Sequence, residues 1–322
     1  MLTDDSTATA FAGSASVIST GRRLLFGVIA IIYSAAIGLI FYVLGVYSDL
    51  QGLWPTPELH ALHKMLKPYH RANGEVEDAY DRLVAYRGKQ EIGCPPQTDR
   101  TLVLLIIGQS NAANSSGQRQ PASDHVVNYF AGKCYVASSP LLGTTGIGGE
   151  SWTLLGAKLV AAGIADQVIL VSSAMSGSSI VQWQSGGKMN VMLRSVLSEI
   201  SGHYKITQIL WHQGENDYGT SMTKEQYAEK FMSLVKSIRA ERVDAPIYVS
   251  IASRCEVTDV AWTASNPIAD AQRSLPNVEA HILRGVDTDA LIGPSDRVDD
   301  CHFGASGQEK FANAWVPILA SH

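Results

Sequence analysis

Five residues in the second two-thirds of the chain have types that together can move an acyl group: Ser110, Gly177, Asn216, Asp299 and His302. A serine hydroxyl is a weak nucleophile until a neighbouring imidazole takes its proton. A carboxylate that holds the imidazole in one orientation and stabilises its positive form completes the relay. The order Ser, Asp, His along the chain is as good as any other, because such a triad is defined by geometry. The tetrahedral intermediate of acyl transfer also needs donors aimed at its oxyanion. The backbone N–H groups of Ser110 and Gly177 and the side-chain amide of Asn216 are suitable, and losing one such donor costs about 2.7–4 kcal/mol of barrier. Two adjacent carboxylates, Asp299 and Asp300, can partner His302. Asp299 is preferred because residues three apart on a turn can face the same ring, as helical i,i+3 neighbours do.

These residues need a scaffold that gathers them. Thr101–Asn111, T-L-V-L-L-I-I-G-Q-S-N, is an apolar run closed by a glycine, with the hydroxyl two positions later. It reads as a buried central strand that stops at a tight turn. Further strands are expected at 168–172, 206–211, 246–251 and 280–284, and helices at 152–163, 189–201, 223–241, 264–273 and 307–320. Alternation of short apolar strands with helices means a parallel sheet covered on both faces. The expected fold class is α/β, a three-layer α/β/α sandwich on a five-stranded parallel sheet, flavodoxin-like. Ligands in such sheets bind at the carboxyl ends of the strands. Ser110, the stretch around Gly177 (A-M-S-G-S-S-I-V-Q-W) and the W-H-Q-G-E-N-D stretch holding Asn216 all follow a strand. The stretch D-D-C-H-F lies near the C-terminus. The long connection 112–150 contains a short hairpin, Val126–Ala137, and a Gly-rich turn that lacks the Lys and the preceding strand of a phosphate loop.

Each residue also has a structural reading. Ser110 or Asn111 can cap a helix, Gly177 can serve a turn, and Asn216 or Asp217 can be caps. Trp183 and Trp152 can offer platforms to a sugar ring or sit in the core. Glu215 can act as a general base in a different mechanism, or hydrogen-bond the local backbone.

On Ser110, Gly177, Asn216, His302 and Asp299 the chain resembles the SGNH hydrolases, also called GDSL-type esterases. G-Q-S-N, S-G-S-S-I-x-x-W, W-H-Q-G-E and D-x-x-H-F resemble the branch of sialate O-acetylesterases and acetylxylan esterases, over about residues 101–318. The resemblance implies a serine esterase without metal or cofactor that removes acetyl groups from sugar hydroxyls. It implies Ser110, Asp299 and His302 as catalytic residues and Ser110, Gly177 and Asn216 as the oxyanion hole. Gln109 and Gln213, with Trp183, become candidates for holding the acetylated glycan. Two other functions use the same parts: an O-acyltransferase that passes the acyl group to a sugar, and a non-catalytic glycan-binding protein that keeps the fold.

Of the 322 residues 46% are hydrophobic and 17% charged, and the net charge is -5. No basic patch points to nucleic acid. Leu24–Tyr47 runs without a charge. As a helix it rises about 36 Å, enough to span a bilayer with some tilt. It is too long for the apolar part of a cleaved signal, and Arg22 and Arg23 at its start put the N-terminus in the cytoplasm. The expected organisation is a cytoplasmic tail 1–23, a signal anchor 24–47, a juxtamembrane helical linker 48–100 and an esterase domain 101–322 facing the periplasm or cell exterior. His60 and His63 lie a helical turn apart, without a third metal ligand nearby. The four cysteines all follow the span. In an oxidising compartment an even count implies two disulfides, and the strand order favours Cys255–Cys301 and Cys94–Cys134.

Overall fold

A computed structural model of the protein describes residues 20–51, 74–255 and 266–321. The N-terminal tail up to residue 19 and the segment with His60 and His63 lie outside the described residues. The chain divides into two units, Met1–Pro68 and Tyr69–His322. In the first, one helix runs Thr20–Gln51. Its Leu25–Gly45 stretch has a mean hydropathy of 2.4 and is long and apolar enough to cross a membrane.

The second unit is built on an eight-stranded sheet. In chain order the strands of this unit are β1 (Val76–Glu77), β2 (Leu83–Ala85), β3 (Glu91–Ile92), β4 (Thr101–Gly108), β5 (Val126–Phe130), β6 (Lys133–Val136), β7 (Gln167–Ser172), β8 (Gln208–His212), β9 (Ile247–Ile251) and β10 (Ile282–Asp287). The large sheet has the order β10-β9-β8-β4-β7-β5-β6-β3, and β1 and β2 pair separately. The five expected strands are present as β4, β7, β8, β9 and β10, mutually parallel. Parallel strands are buried on both faces, which is why their sequences read as unbroken apolar runs. On β4, Val103, Leu105 and Ile107 enter one core and Leu104 and Ile106 the other. Burying each such side chain stabilises the fold by about 1.5–3 kcal/mol. The helices Lys188–Ile200, Lys224–Ala240 and Pro267–Ser274 cover the first face, and Trp152–Ala161 and Ala305–Ala320 the second.

Two features differ from the expected organisation. The Val126–Ala137 hairpin does not stand apart: β5 pairs parallel with β7, and β6 and β3 add an antiparallel edge. Residues 74–100 are not a helical linker either. They hold β1, β2 and β3, and the last of these belongs to the main sheet. The charged, loosely periodic sequence there resembles a solvated helix because strands of two or three residues are too short to alternate. Cys94 is bonded to Cys134, with Cα atoms 5.1 Å apart. Cys134 pairs opposite Ile92, so this bridge staples the short edge strand to the sheet.

Candidate active site

β4 lies between β7 and β8, and from the neighbours β4 and β8 the chain runs on in opposite directions across the sheet, from β4 toward β5 and from β8 toward β9. That is the topological switch point at which open α/β sheets bind ligands. Ser110 sits there, in a single 3-10 turn over Ser110–Ala112. Gly108 makes the turn possible. Its φ is +138°, and a Cβ would lie 1.9 Å from the carbonyl oxygen of His212, so only glycine lets β4 run this close to the end of β8. Trp152 secures the turn from below, its indole N–H donating to the Ala112 carbonyl at 2.8 Å.

The residues expected to do chemistry converge on this edge. Gly177 follows β7 in a left-handed conformation, φ +70°, and is exposed. Asn216 lies on the short helix Glu215–Tyr218 after β8 and is exposed. Among the described residues, neither the N–H groups of Ser110 and Gly177 nor the side-chain amide of Asn216 donates to another protein group. His302 reaches the edge from the loop after β10, and its Nδ1 is 2.7 Å from Asp299 Oδ2. Asp299 Oδ1 accepts from the N–H groups of Cys301 and His302 at 2.8 and 2.6 Å. That turn aims the carboxylate at the ring. No bond joins Asp300 to His302 among the described residues.

Asn111 ties the turn that carries Ser110 to the loop that carries His302. The Asn111 side chain donates to the Cys301 carbonyl at 3.2 Å and accepts from the Phe303 N–H at 3.1 Å. It thus grips the backbone on both sides of His302 from the position next to Ser110. No hydrogen bond joins the Ser110 hydroxyl directly to His302 among the described residues. The same Asn111 amide donates to Glu215 Oε1 at 3.0 Å, and His212 Nε2 lies 3.2 Å from that oxygen.

A sequence model of the carbohydrate esterase, sialic acid-specific acetylesterase family matches residues 100–318. The chain belongs to this family. It is by that membership an acetylesterase of the carbohydrate esterases. No curated protein matches the chain. Solved structures do. A protein from Arabidopsis thaliana is 18% identical with a TM-score of 0.57, and the match covers 71% of this chain and 99% of that one. NanS is 16% identical with a TM-score of 0.47, over 69% and 97% of the two chains. A variant of the acetyl xylan esterase Axe2 from Geobacillus stearothermophilus is 15% identical with a TM-score of 0.45, over 70% and 96%. The first of these likenesses supports the fold.

Three residues expected to hold the esterase's substrate are placed elsewhere. Trp183 is 0% exposed. It packs edge-on against Trp211, ring centroids 5.6 Å apart, and donates to Ser178 Oγ, so no sugar can stack on it. Gln109 Oε1 accepts from the N–H groups of Gly214 and Asn216 and from Gln213 Nε2, at 3.1–3.2 Å. Gln213 is fully buried and also bonds Ser178, Asp217 and Tyr227. Both glutamines brace the loop that carries Asn216 instead of reaching a ligand. Trp152 is likewise core. Glu215, expected to bond the local backbone, bonds the side chains of Asn111 and His212. Burial disfavours its charge, but the His212 imidazole and the hydrogen bonds from His212 and Asn111 outweigh burial and hold the carboxyl below its ordinary value.

The Asp299 carboxyl is also held below its ordinary value. Partial burial opposes its charge, yet the hydrogen bonds from the His302 ring and from the His302 and Cys301 N–H groups prevail and bring it to about 2. One residue absent from the expected set, Arg297, and the expected Cys255–Cys301 disulfide act on the same loop. Arg297 donates to the Cys301 carbonyl and stacks on Phe303 at 5.7 Å. Cys301 itself is bonded to Cys255, with Cα atoms 4.1 Å apart. Disulfides of this kind suit an oxidising compartment. The bridge closes a loop of 46 residues, worth about 4 kcal/mol in the chain-entropy model. Reduction of Cys255–Cys301 is expected to lower kcat on an aryl acetate before it unfolds the domain, because the loop bearing His302 loses a tether. Parallel kcat and far-ultraviolet melting measurements under graded reductant check this; unchanged kcat on full reduction overturns it.

Proposed function

We propose that the protein is a membrane-anchored, extracytoplasmic serine esterase that removes O-acetyl groups from a carbohydrate through an acyl-enzyme on Ser110. The observation that carries this reading is the Asp299–His302 pair, gripped by Asn111 beside Ser110 at the switch point of the sheet. Ser110 Oγ attacks the acetyl carbonyl carbon as its proton passes to His302. The oxyanion takes the N–H groups of Ser110 and Gly177 and the Asn216 amide, donors with no internal partner to give up. Collapse expels the sugar oxygen, which takes the proton from His302, and leaves acetyl-Ser110. Water then attacks the acyl-enzyme with His302 again as base, and acetate departs. Asp299 stays ionised throughout and stabilises the imidazolium. The Ser110–His302 hydrogen bond of such a site commonly tightens only when substrate binds.

The anchor is the Leu25–Gly45 stretch. Arg22 and Arg23 precede it, which favours a cytoplasmic N-terminus, and the two disulfides favour an oxidising side for the esterase domain. The reading is tested with the full chain in detergent. Acetate release from a panel of O-acetylated glycans is expected, together with covalent labelling of Ser110 by a serine-directed phosphonate. A reporter fused after residue 322 is expected to be active outside the cytoplasm. Absence of acetate release from every glycan and aryl ester removes the catalytic reading, and a reporter active only in the cytoplasm removes the topology.

A further inference from the structure

A cavity of about 390 Å³ opens beside Gly177, and its lining includes Tyr80, Thr145, Ser176, Gly177, Gln182 and Lys188. Its outer wall comes from the hairpin of β1 and β2, which lies before the residues that the family model matches. This hairpin is an integral part of the domain. Leu83 is fully buried, its N–H donates to the Thr144 carbonyl, and its carbonyl accepts from the Gly143 N–H, both at 2.8 Å. The next residue, Thr145, is bonded to Ser176 twice: hydroxyl to hydroxyl at 2.8 Å, and Ser176 N–H to the threonine oxygen at 2.7 Å. Ser176 precedes Gly177. A continuous hydrogen-bonded path therefore runs from the hairpin to the proposed oxyanion donor. The cavity also lies close to the nucleophile's strand, since the lining residue Met175 donates its N–H to the Gly108 carbonyl at 2.8 Å.

We infer that this cavity is a subsite for a sugar unit adjoining the acetylated one, so that the enzyme prefers oligosaccharide or polysaccharide chains to single sugars. The inference rests on the reading that Ser110 takes the acetyl group. The volume is at the lower end of the range for small-ligand sites, the size class of a single pyranose unit. The lining matches a pyranose. Hydroxyls, an amide, an ammonium and the carboxylates of Glu77 and Asp81 meet its ring of hydroxyl groups, while Tyr80 offers apolar surface to its C–H face. Because Gly177 itself lines the cavity, a sugar carrying its acetyl ester at Gly177 has this wall within reach of its glycosidic neighbour. The hairpin thus extends the site by a unit that the matched family segment alone does not supply.

The test separates binding from chemistry. The hydrolytically dead full chain, Ser110→Ala, is titrated in detergent with acetylated xylotetraose and acetylated chitotetraose, each against its acetylated monosaccharide glycoside. At least one tetrasaccharide is expected to bind about tenfold more tightly than its monosaccharide, the factor that one good aromatic contact supplies. Adding Tyr80→Ala should erase that preference and leave monosaccharide affinity unchanged. Lys188→Ala, on an exposed side chain, carries the test where Tyr80→Ala fails to fold. Equal affinities for tetrasaccharide and monosaccharide in both series overturn the subsite, as does a preference that survives both substitutions. Failure of wild-type protein to hydrolyse aryl acetate in a Ser110-dependent way overturns the catalytic reading instead, and the binding result still decides the subsite.

Discussion

Ser110→Ala is expected to fold as the parent does and to lose essentially all turnover of an aryl acetate, a fall in kcat on the order of a millionfold. The fold should survive because the Ser110 hydroxyl makes no hydrogen bond to the protein among the described residues. The turn that carries it is held by other atoms, namely Gly108 against His212 and Trp152 on Ala112. What remains after the substitution is water attacking an ester held by the oxyanion donors, which is far slower than an oriented alkoxide. The rival is Glu215 as a general base for water. Its Oε1 is already engaged by Asn111 and His212, and its side chain is only 2% exposed. A base walled in this way has no access to a substrate's water. Glu215→Gln is therefore expected to act through the fold, lowering melting temperature along with kcat. Comparison of kcat and thermal melts for the two variants decides. Near-normal turnover by Ser110→Ala, with loss confined to Glu215→Gln, overturns the nucleophile and promotes the glutamate.

The parts of this site that were legible in the sequence are those set by strand ends. An apolar run must finish somewhere, and in a parallel sheet its finish is where ligands bind. Hence the positions of Ser110, Gly177 and Asn216 after strand ends, and the succession of five strands and their covering helices, are legible in the sequence. Side-chain direction was not legible. Gln109, Gln213 and Trp183 stand beside reactive positions in the chain, yet each points inward, because only the packing of Tyr227 and Trp211 beneath them decides that. Asn111 shows the reverse case. A lone asparagine after a turn reads as a helix cap, and its bonds to Cys301 and Phe303 span about 190 residues of sequence. Nothing local announces such a contact. Glu215 did carry a signal, since it lies three residues beyond His212 on a chain about to turn, and i,i+3 pairs meet. The strands β1 to β3 gave none, being shorter than the period that identifies a strand.

Asp299→Asn should lower kcat between about a hundred and ten thousandfold, whereas Asp300→Asn should leave it within about twofold. The geometry gives the asymmetry. Asp299 Oδ2 faces His302 Nδ1, while Oδ1 serves the two backbone N–H groups of the turn. Asparagine keeps an oxygen for the turn and presents an NH2 to the ring. That amide donates to Nδ1 and forces the proton onto Nε2, so the ring can no longer accept a proton from Ser110. The loss is put below the upper limit at its mild end because Asp299 is half-exposed, 53% by side chain, and water can replace part of its field. The pH dependence separates this from simple loosening of the loop. With its carboxyl at about 2, Asp299 is ionised at every pH where the domain is assayed. Because that value lies below the unfolded one, about 3.9, its contribution to stability is present above pH ~4 and fades only as pH falls toward 2. Protonation of Asp299 therefore cannot produce an acid limb between pH 7 and 4, and Asp299→Asn should depress kcat across that whole range without deleting an inflection. KM should move little, since the residue touches no substrate. A larger loss in Asp300→Asn than in Asp299→Asn, or an acid limb that disappears with Asp299, would assign the orienting carboxylate elsewhere.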